Sequence, residues 1–259
     1  MTGNRQRGII LQDRDRRLLS ELAVMRVIDR ETTKLVAGFG STTQVNMRLL
    51  ELTRAGLLRR FFIGSIAAGR KAVYTLSPKG GELVAARLGG ISRPAGRLVI
   101  GDAFVEHQTG INEVYVTVKH RPAPQAGVRL RRWVTFRQSI SEAVKLTPDG
   151  YFEISAGDSI RAMFLEVDLG TEALKVWQQK TASYLQLAVS GEFTQRFGQP
   201  QFRVLVVASS EKRLANIRAT VAKSTDKIFW FTTFEIIHRD GFWSPVWLRP
   251  TGGQRLSLL

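Results

Sequence analysis

The strongest constraint lies near the N-terminus, where helical apolar spacing gives way to β-prone runs just after Gly56. Residues 13–30 place Leu18, Leu19, Leu22, Met25, Val27 and Ile28 near helical spacing, with Arg14, Arg17, Glu21 and Arg30 elsewhere on the surface. A short helix follows at about 31–37 and is broken by Gly38 and Gly40. Ser41 or Thr42 then caps a third helix, which runs through Val45, Leu49, Leu50 and Leu52 to a stop at Gly56. Residues 57–63 and 72–77 are β-prone, and the basic, glycine-containing stretch 64–71 between them predicts a hairpin. A last helix over about 79–89 packs behind it. Three helices followed by a hairpin is the order of a winged helix-turn-helix.

Residues 89–97 mix Gly, Pro and Ser with two arginines and form the best linker. The predicted division is therefore 1–90, a linker at 91–98, and 99–259. The second part opens with a helix over about 101–119. Strands are predicted at 128–137, 151–155, 162–169, 202–209 and 228–237, and helices at 171–190 and 211–223. That α-β-β-β-α-β-α-β order predicts a mixed α/β domain with a central sheet, and an α+β chain as a whole.

Composition removes several function classes. The 259 residues include no cysteine, which excludes disulfides and thiolate metal sites. His107, His120 and His238 are too scattered for a histidine-based zinc site. No apolar run reaches the roughly 18 residues of a membrane helix. The first 17 residues are basic and polar, with no signal-peptide core, so the expectation is a cytoplasmic protein with no membrane partner. No P-loop, dinucleotide fingerprint or nucleophile elbow is present. The formal net charge is +16, and residues 1–97 hold 18 basic against 7 acidic residues. A surplus concentrated in one part points to a polyanion there, most simply double-stranded DNA.

The third helix begins Ser41, Thr42, Thr43, Gln44, Val45, Asn46, Met47, Arg48. In a helix-turn-helix this helix enters the major groove, and its first side chains reach base edges. Gln44 and Asn46 suit adenine, Arg48 suits guanine, and Ser41, Thr42 and Thr43 suit several edges or phosphates. Arg59, Arg60, Arg70 and Lys71 on the hairpin suit phosphates, and Arg54 could join them. The alternative is a three-helix module for protein contacts with a merely solvated polar face.

A second constellation is acidic. Alternation along 162–168 puts Glu166 and Asp168 on one face of a strand. Asp149, in the turn Pro148-Asp149-Gly150, stands at the edge of the neighbouring strand. Three such carboxylates would suit Mg²⁺ or Mn²⁺, which take oxygen ligands. Lys180 and Tyr184, four apart on the next helix, share a face and could point at the same acids. The competing reading is an ordinary turn and a structural ion-pair network.

Several segments carry a resemblance: Arg14-Asp15-Arg16-Arg17-Leu18-Leu19, Leu146-Thr147-Pro148-Asp149-Gly150, the run from Phe164 to Glu172, Lys180 to Tyr184, and Phe202 to Val207. Over about 13–240 the chain resembles the replication-relaxation family of plasmid and mobile-element proteins. That implies a role in plasmid replication, relaxation or mobilisation. It also implies a relaxase or another plasmid-processing protein as partner. A homodimer is the usual way for winged helices to read palindromes, though no seam is visible in the sequence.

The second part, through Pro148-Asp149 and Glu166, resembles the PD-(D/E)xK nucleases. This implies a restriction-endonuclease-like fold, with Asp149, Glu166 and Asp168 on a divalent metal and Lys180 and Tyr184 beside it. One departure stands out: Asp168 occupies the place where those nucleases keep a lysine. Lys180 would have to supply the amine, and otherwise the site is an inactive remnant. The non-catalytic alternative is a transcriptional regulator or relaxosome accessory protein.

Overall fold

The computed structural model describes residues 9–64, 69–85 and 101–259. They form two compact units, Met1–Val116 and Thr117–Leu259. In the first unit α1 (Asp13–Met25), β1 (Ile28–Asp29), α2 (Arg30–Ala37) and α3 (Thr42–Arg54) precede a hairpin of β2 (Leu58–Ile63) and β3 (Lys71–Leu76). Then come α4 (Pro78–Ala85) and α5 (Asp102–His120).

The helix predicted over 13–30 stops at Met25, because Arg26 turns the chain with φ 64°. Val27 and Ile28 stay buried but leave the helix. Ile28 pairs with Tyr74 and Asp29 with Val73, giving a three-stranded antiparallel sheet in the order β1-β3-β2. Sheet pairing satisfies those backbone groups as well as a longer helix would, and it buries the same two side chains.

The hairpin is clamped at its base. Ser77 Oγ donates to the Gly56 carbonyl at 2.5 Å and accepts from the Gly80 N–H at 2.9 Å. A Cβ at Gly80 would lie 2.1 Å from the Leu57 carbonyl oxygen, so only glycine lets α4 lie this close to β2.

The first part of α5, through Val116, falls in this unit. Asn112 donates to the Val27 carbonyl at 2.7 Å, and Tyr115 donates to Glu21 at 2.6 Å. The expected linker at 91–98 lies outside the described residues.

The second unit is built on a seven-stranded sheet. Its strands are β4 (Arg129–Val134), β5 (Gly150–Ala156), β6 (Ser159–Asp168), β7 (Arg203–Ala208), β8 (Phe229–Thr233), β9 (Trp247–Leu248) and β10 (Arg255–Leu256). The order is β10-β9-β8-β7-β6-β5-β4, with β6, β7 and β8 parallel and the flanking pairs antiparallel. Helices α6 (Leu174–Val189) and α8 (Glu211–Ala222) connect the parallel strands, and α7 (Glu192–Phe197) and α9 (Phe234–Asp240) are short additions.

The expected order of elements is present, with α7, α9, β9 and β10 added. The strand predicted over 228–237 ends at Thr233, whose hydroxyl caps α9 by accepting from the Ile236 N–H at 3.3 Å.

Alternation along β6 sends Ala162, Phe164, Glu166 and Asp168 toward α6 and α8. Ala162 and Phe164 there join Trp177, Tyr184, Leu187, Leu214, Ile217 and Val221 in the main core. Phe164 sits within 5.0–5.9 Å, ring to ring, of Tyr151, Tyr184, Phe193, Phe197 and Phe202. This aromatic packing fixes the depth at which α6 crosses β6, and so the position of the side chains one turn along.

Candidate nucleic-acid interface and strand-end acid cluster

Ser41 caps α3, accepting from the Gln44 N–H at 3.3 Å. Val45, Leu49 and Leu52 are buried on its inner face. Thr43, Gln44, Asn46 and Met47 are exposed on the outer face, while Ser41 and Thr42 are half-buried at its start.

Arg48 departs from its expected role as a guanine reader. Its Nε donates to Asp15 Oδ1 at 2.8 Å, its Nη2 donates to the Ile10 carbonyl at 2.8 Å, and Glu51 takes Nη1. Asp15 is fully buried. The guanidinium therefore ties α3 to α1 and is spent on the fold. The carboxylate of Asp15, ahead of Glu51, holds Arg48 above the ordinary arginine range.

On the hairpin, Arg59, Arg60 and Arg70 are exposed. The Arg60 guanidinium lies 5.1 Å from the ring centre of Phe62, which is itself 54% exposed. Lys71 is different, because it is ion-paired with Asp29, the residue that caps α2. Its charge is already compensated, which makes it a weaker phosphate ligand than the sequence suggested.

In the second unit Asp149 and Glu166 converge. Gly150 pairs with Leu165 across β5 and β6, so Asp149 stands opposite Glu166 in the same register. Asp149 Oδ2 accepts from the Val167 N–H at 2.7 Å. Glu166 is fully buried, and its oxygens accept from Tyr184 at 2.6 Å and from Lys180 at 2.9 Å. Lys180 also reaches Glu172 at 2.9 Å.

Asp168 belongs to a separate network. Arg213 of α8 grips both of its oxygens, at 2.6 and 2.7 Å, and Trp177 donates to it at 2.8 Å, as does the Gly170 N–H. Trp177, Lys180 and Tyr184 lie at i, i+3 and i+7 on α6, which is why one helix face serves both strand acids.

Burial pushes Glu166 up to about 7, with Asp149 adding to the rise and Lys180 opposing it. Lys180 is held above its ordinary range because Glu166, Glu172 and Asp149 outweigh its burial. Asp168 is also disfavoured by burial, yet Arg213 and Trp177 hold it below the ordinary carboxylate range.

The three-carboxylate metal site expected from the sequence does not assemble. Asp168 is committed to Arg213 and Trp177, and the Lys180 ammonium already lies between Glu166 and Glu172. Among the described residues, no three Asp, Glu or His side chains are grouped so as to hold a metal ion. Asp149, Glu166, Lys180 and Tyr184 do meet, but Lys180 and Tyr184 already occupy the two oxygens of Glu166, so this donor set does not fit Mg²⁺ or Mn²⁺ as it stands.

Sequence reasoning missed Glu172 and Arg213. Glu172 was visible as the acid closing the run from Phe164. Arg213 carried no local signal, because it reaches Asp168 from 45 residues away.

A family model described as Replication-relaxation matches residues 14–200, and the chain belongs to this family. No curated protein matches it. Among solved structures, the chain is similar to restriction endonuclease FokI at 12% identity and a TM-score of 0.32, over 88% of this chain and 43% of that one. The chain thus spans less than half the length of that enzyme. No described helix is long and apolar enough to cross a membrane.

Proposed function

We propose that the chain binds double-stranded DNA through a winged helix-turn-helix and serves plasmid replication, relaxation or mobilisation. In this reading α3 enters the major groove and β2–β3 is the wing. One observation carries it. The exposed Thr43, Gln44 and Asn46 of α3 belong to the same unit as Arg59, Arg60 and Arg70, none of which has an acidic partner among the described residues. Polar side chains at a helix start suit base edges, and exposed, uncompensated arginines suit phosphates.

The test is binding of the full chain to a duplex across a salt series. A steep loss of affinity with salt is expected, with a shallower slope for Arg59→Ala combined with Arg60→Ala. Binding that ignores salt would overturn the reading. A homodimer and a relaxase partner belong to the same reading, and sedimentation of the chain on a palindromic duplex would test the first.

A second reading, phosphodiester cleavage by the α/β unit, draws on the meeting of Asp149, Glu166 and Lys180. Against it stand the burial of Glu166 and the engagement of Asp168 by Arg213. Incubation with supercoiled plasmid and Mg²⁺ or Mn²⁺ separates the two readings. Nicking that Glu166→Gln abolishes would establish cleavage. Intact plasmid with both proteins would leave DNA binding as the function.

A further inference from the structure

The other face of the same sheet carries a basic cluster far from any role discussed above. Arg161, Met163 and Leu165 alternate with the residues that face α6, and the pairing of Met163 with Arg203 and of Leu205 with Trp230 puts Arg203 and Trp230 on that same side. Arg161 and Arg203 lie at the starts of the parallel strands β6 and β7, whereas Glu166 and Asp168 lie at the end of β6. The two groups of residues therefore occupy opposite faces and opposite ends of the sheet.

The guanidinium carbon of Arg203 is 4.5 Å from the Trp230 ring centre, and that of Arg249 is 4.8 Å from it. Arg161 and Arg203 both donate to the Leu258 carbonyl at 2.8 Å, and Arg249 donates to the Asp226 carbonyl at 3.0 Å. These three cations have backbone oxygens as their hydrogen-bond acceptors. Among the described residues no carboxylate is ion-paired with any of them, although the charge of Asp226 reaches Arg249.

Two buried donors in the cluster, Arg161 Nε and Trp230 Nε1, have no acceptor. Burial, followed by the like charges of Arg161 and Arg249, pushes Arg203 down to about 10. Unpaired like charges and unmet donors are both costly in a protein interior. An anion against the half-exposed guanidinium groups relieves the first of these costs.

We infer that Arg161, Arg203 and Arg249 around Trp230 form a binding site for a phosphate group. Guanidinium forks match the oxygens of a phosphate in bidentate fashion, and stacking on the indole holds two of the forks in fixed planes. Trp230 is only 8% exposed and two guanidinium groups lie close to its ring, so it is not a platform for a nucleobase. The ligand is then the phosphate itself, carried either by a nucleic-acid backbone or by a free ion or nucleotide. The site stands independently of the winged-helix reading.

Indole N–H resonances of the full chain test this inference. The Trp230 signal is assigned by its loss in Trp230→Phe. Inorganic phosphate is titrated against chloride at constant ionic strength, and a short oligothymidylate is titrated in parallel. The Trp230 signal should shift saturably, and Arg249→Gln should weaken binding roughly tenfold while the other indole signals stay in place. A shift at lower concentration with the oligothymidylate identifies a nucleic-acid phosphate, and a shift with inorganic phosphate alone identifies a free phosphate. A Trp230 signal that neither probe moves, or that responds identically in folded Arg249→Gln, would overturn the site.

Discussion

Arg48 and Asp15 form a buried clamp, with the guanidinium of α3 closing on a fully buried carboxylate at the start of α1. Asp15 also accepts from the Gln12 N–H at 2.7 Å and so caps its own helix. One carboxylate thereby sets both where α1 begins and how α3 lies against it.

Removing Arg48 should damage stability more than base recognition. Arg48→Ala strands a buried charge, and breaking such a pair costs about 3 kcal/mol or more. Urea unfolding should show the loss. Unchanged stability combined with altered site preference would restore Arg48 as a base reader.

Gln44→Ala and Arg59→Ala should differ in kind. Loss of Gln44 should lower discrimination between DNA sites by roughly 1–3 kcal/mol if its contact is bidentate. Loss of Arg59 should weaken binding to all duplexes alike and reduce the salt slope by about 0.9 for one lost phosphate contact. Competition binding with cognate and scrambled duplexes distinguishes the two effects.

Glu166 makes stability depend on pH in an unusual direction. Its folded pKa of about 7 lies above its ordinary 4.5, so the folded state holds the proton more tightly. Its contribution is fully present below about 4.5 and is lost as pH rises through 7. The slope lies between those two values, because only there do the folded and unfolded states bind different numbers of protons. Thermal unfolding of wild type and Glu166→Gln between pH 4.5 and 8 should show that slope in the former and a flatter profile in the latter. Parallel profiles would contradict this account of Glu166.

Asp168 has the opposite sign. Its folded pKa lies below 3.8, so its stabilising effect is present above that value and disappears as the solution is acidified through the folded pKa. Arg213→Ala should be strongly destabilising near neutral pH, because it leaves a buried carboxylate short of its main partner. Adding Asp168→Asn should recover part of that loss. A double-mutant cycle with no coupling energy would show that the contact does not hold α8 to β6.

Local patterns were legible wherever one element sufficed to express them. The spacing of Val45, Leu49, Leu50 and Leu52 predicted α3 and its outward polar face, and of the two cap candidates, Ser41 and Thr42, the structure uses Ser41. Alternation put Glu166 and Asp168 on one side of β6, and the four-residue spacing of Lys180 and Tyr184 put both on the helix face that meets Glu166. Val27 and Ile28 were misread because their helical spacing competes with pairing to β3, a partner 46 residues away that local periodicity does not register. Residues 234–237 were misread for a related reason, since their β-prone composition is overridden by the cap at Thr233.

The sequence by itself determined which side chains share a face, because helix and strand periods are properties of a single backbone. Only the tertiary structure decided what each face meets. It joined Arg48 to Asp15, took Asp168 out of the acid cluster by way of Arg213, and gathered Arg161, Arg203 and Arg249 around one indole. Those pairings depend on strand order and on how helices cross the sheet, and burial then sets their strength by removing the water that would otherwise solvate each charge.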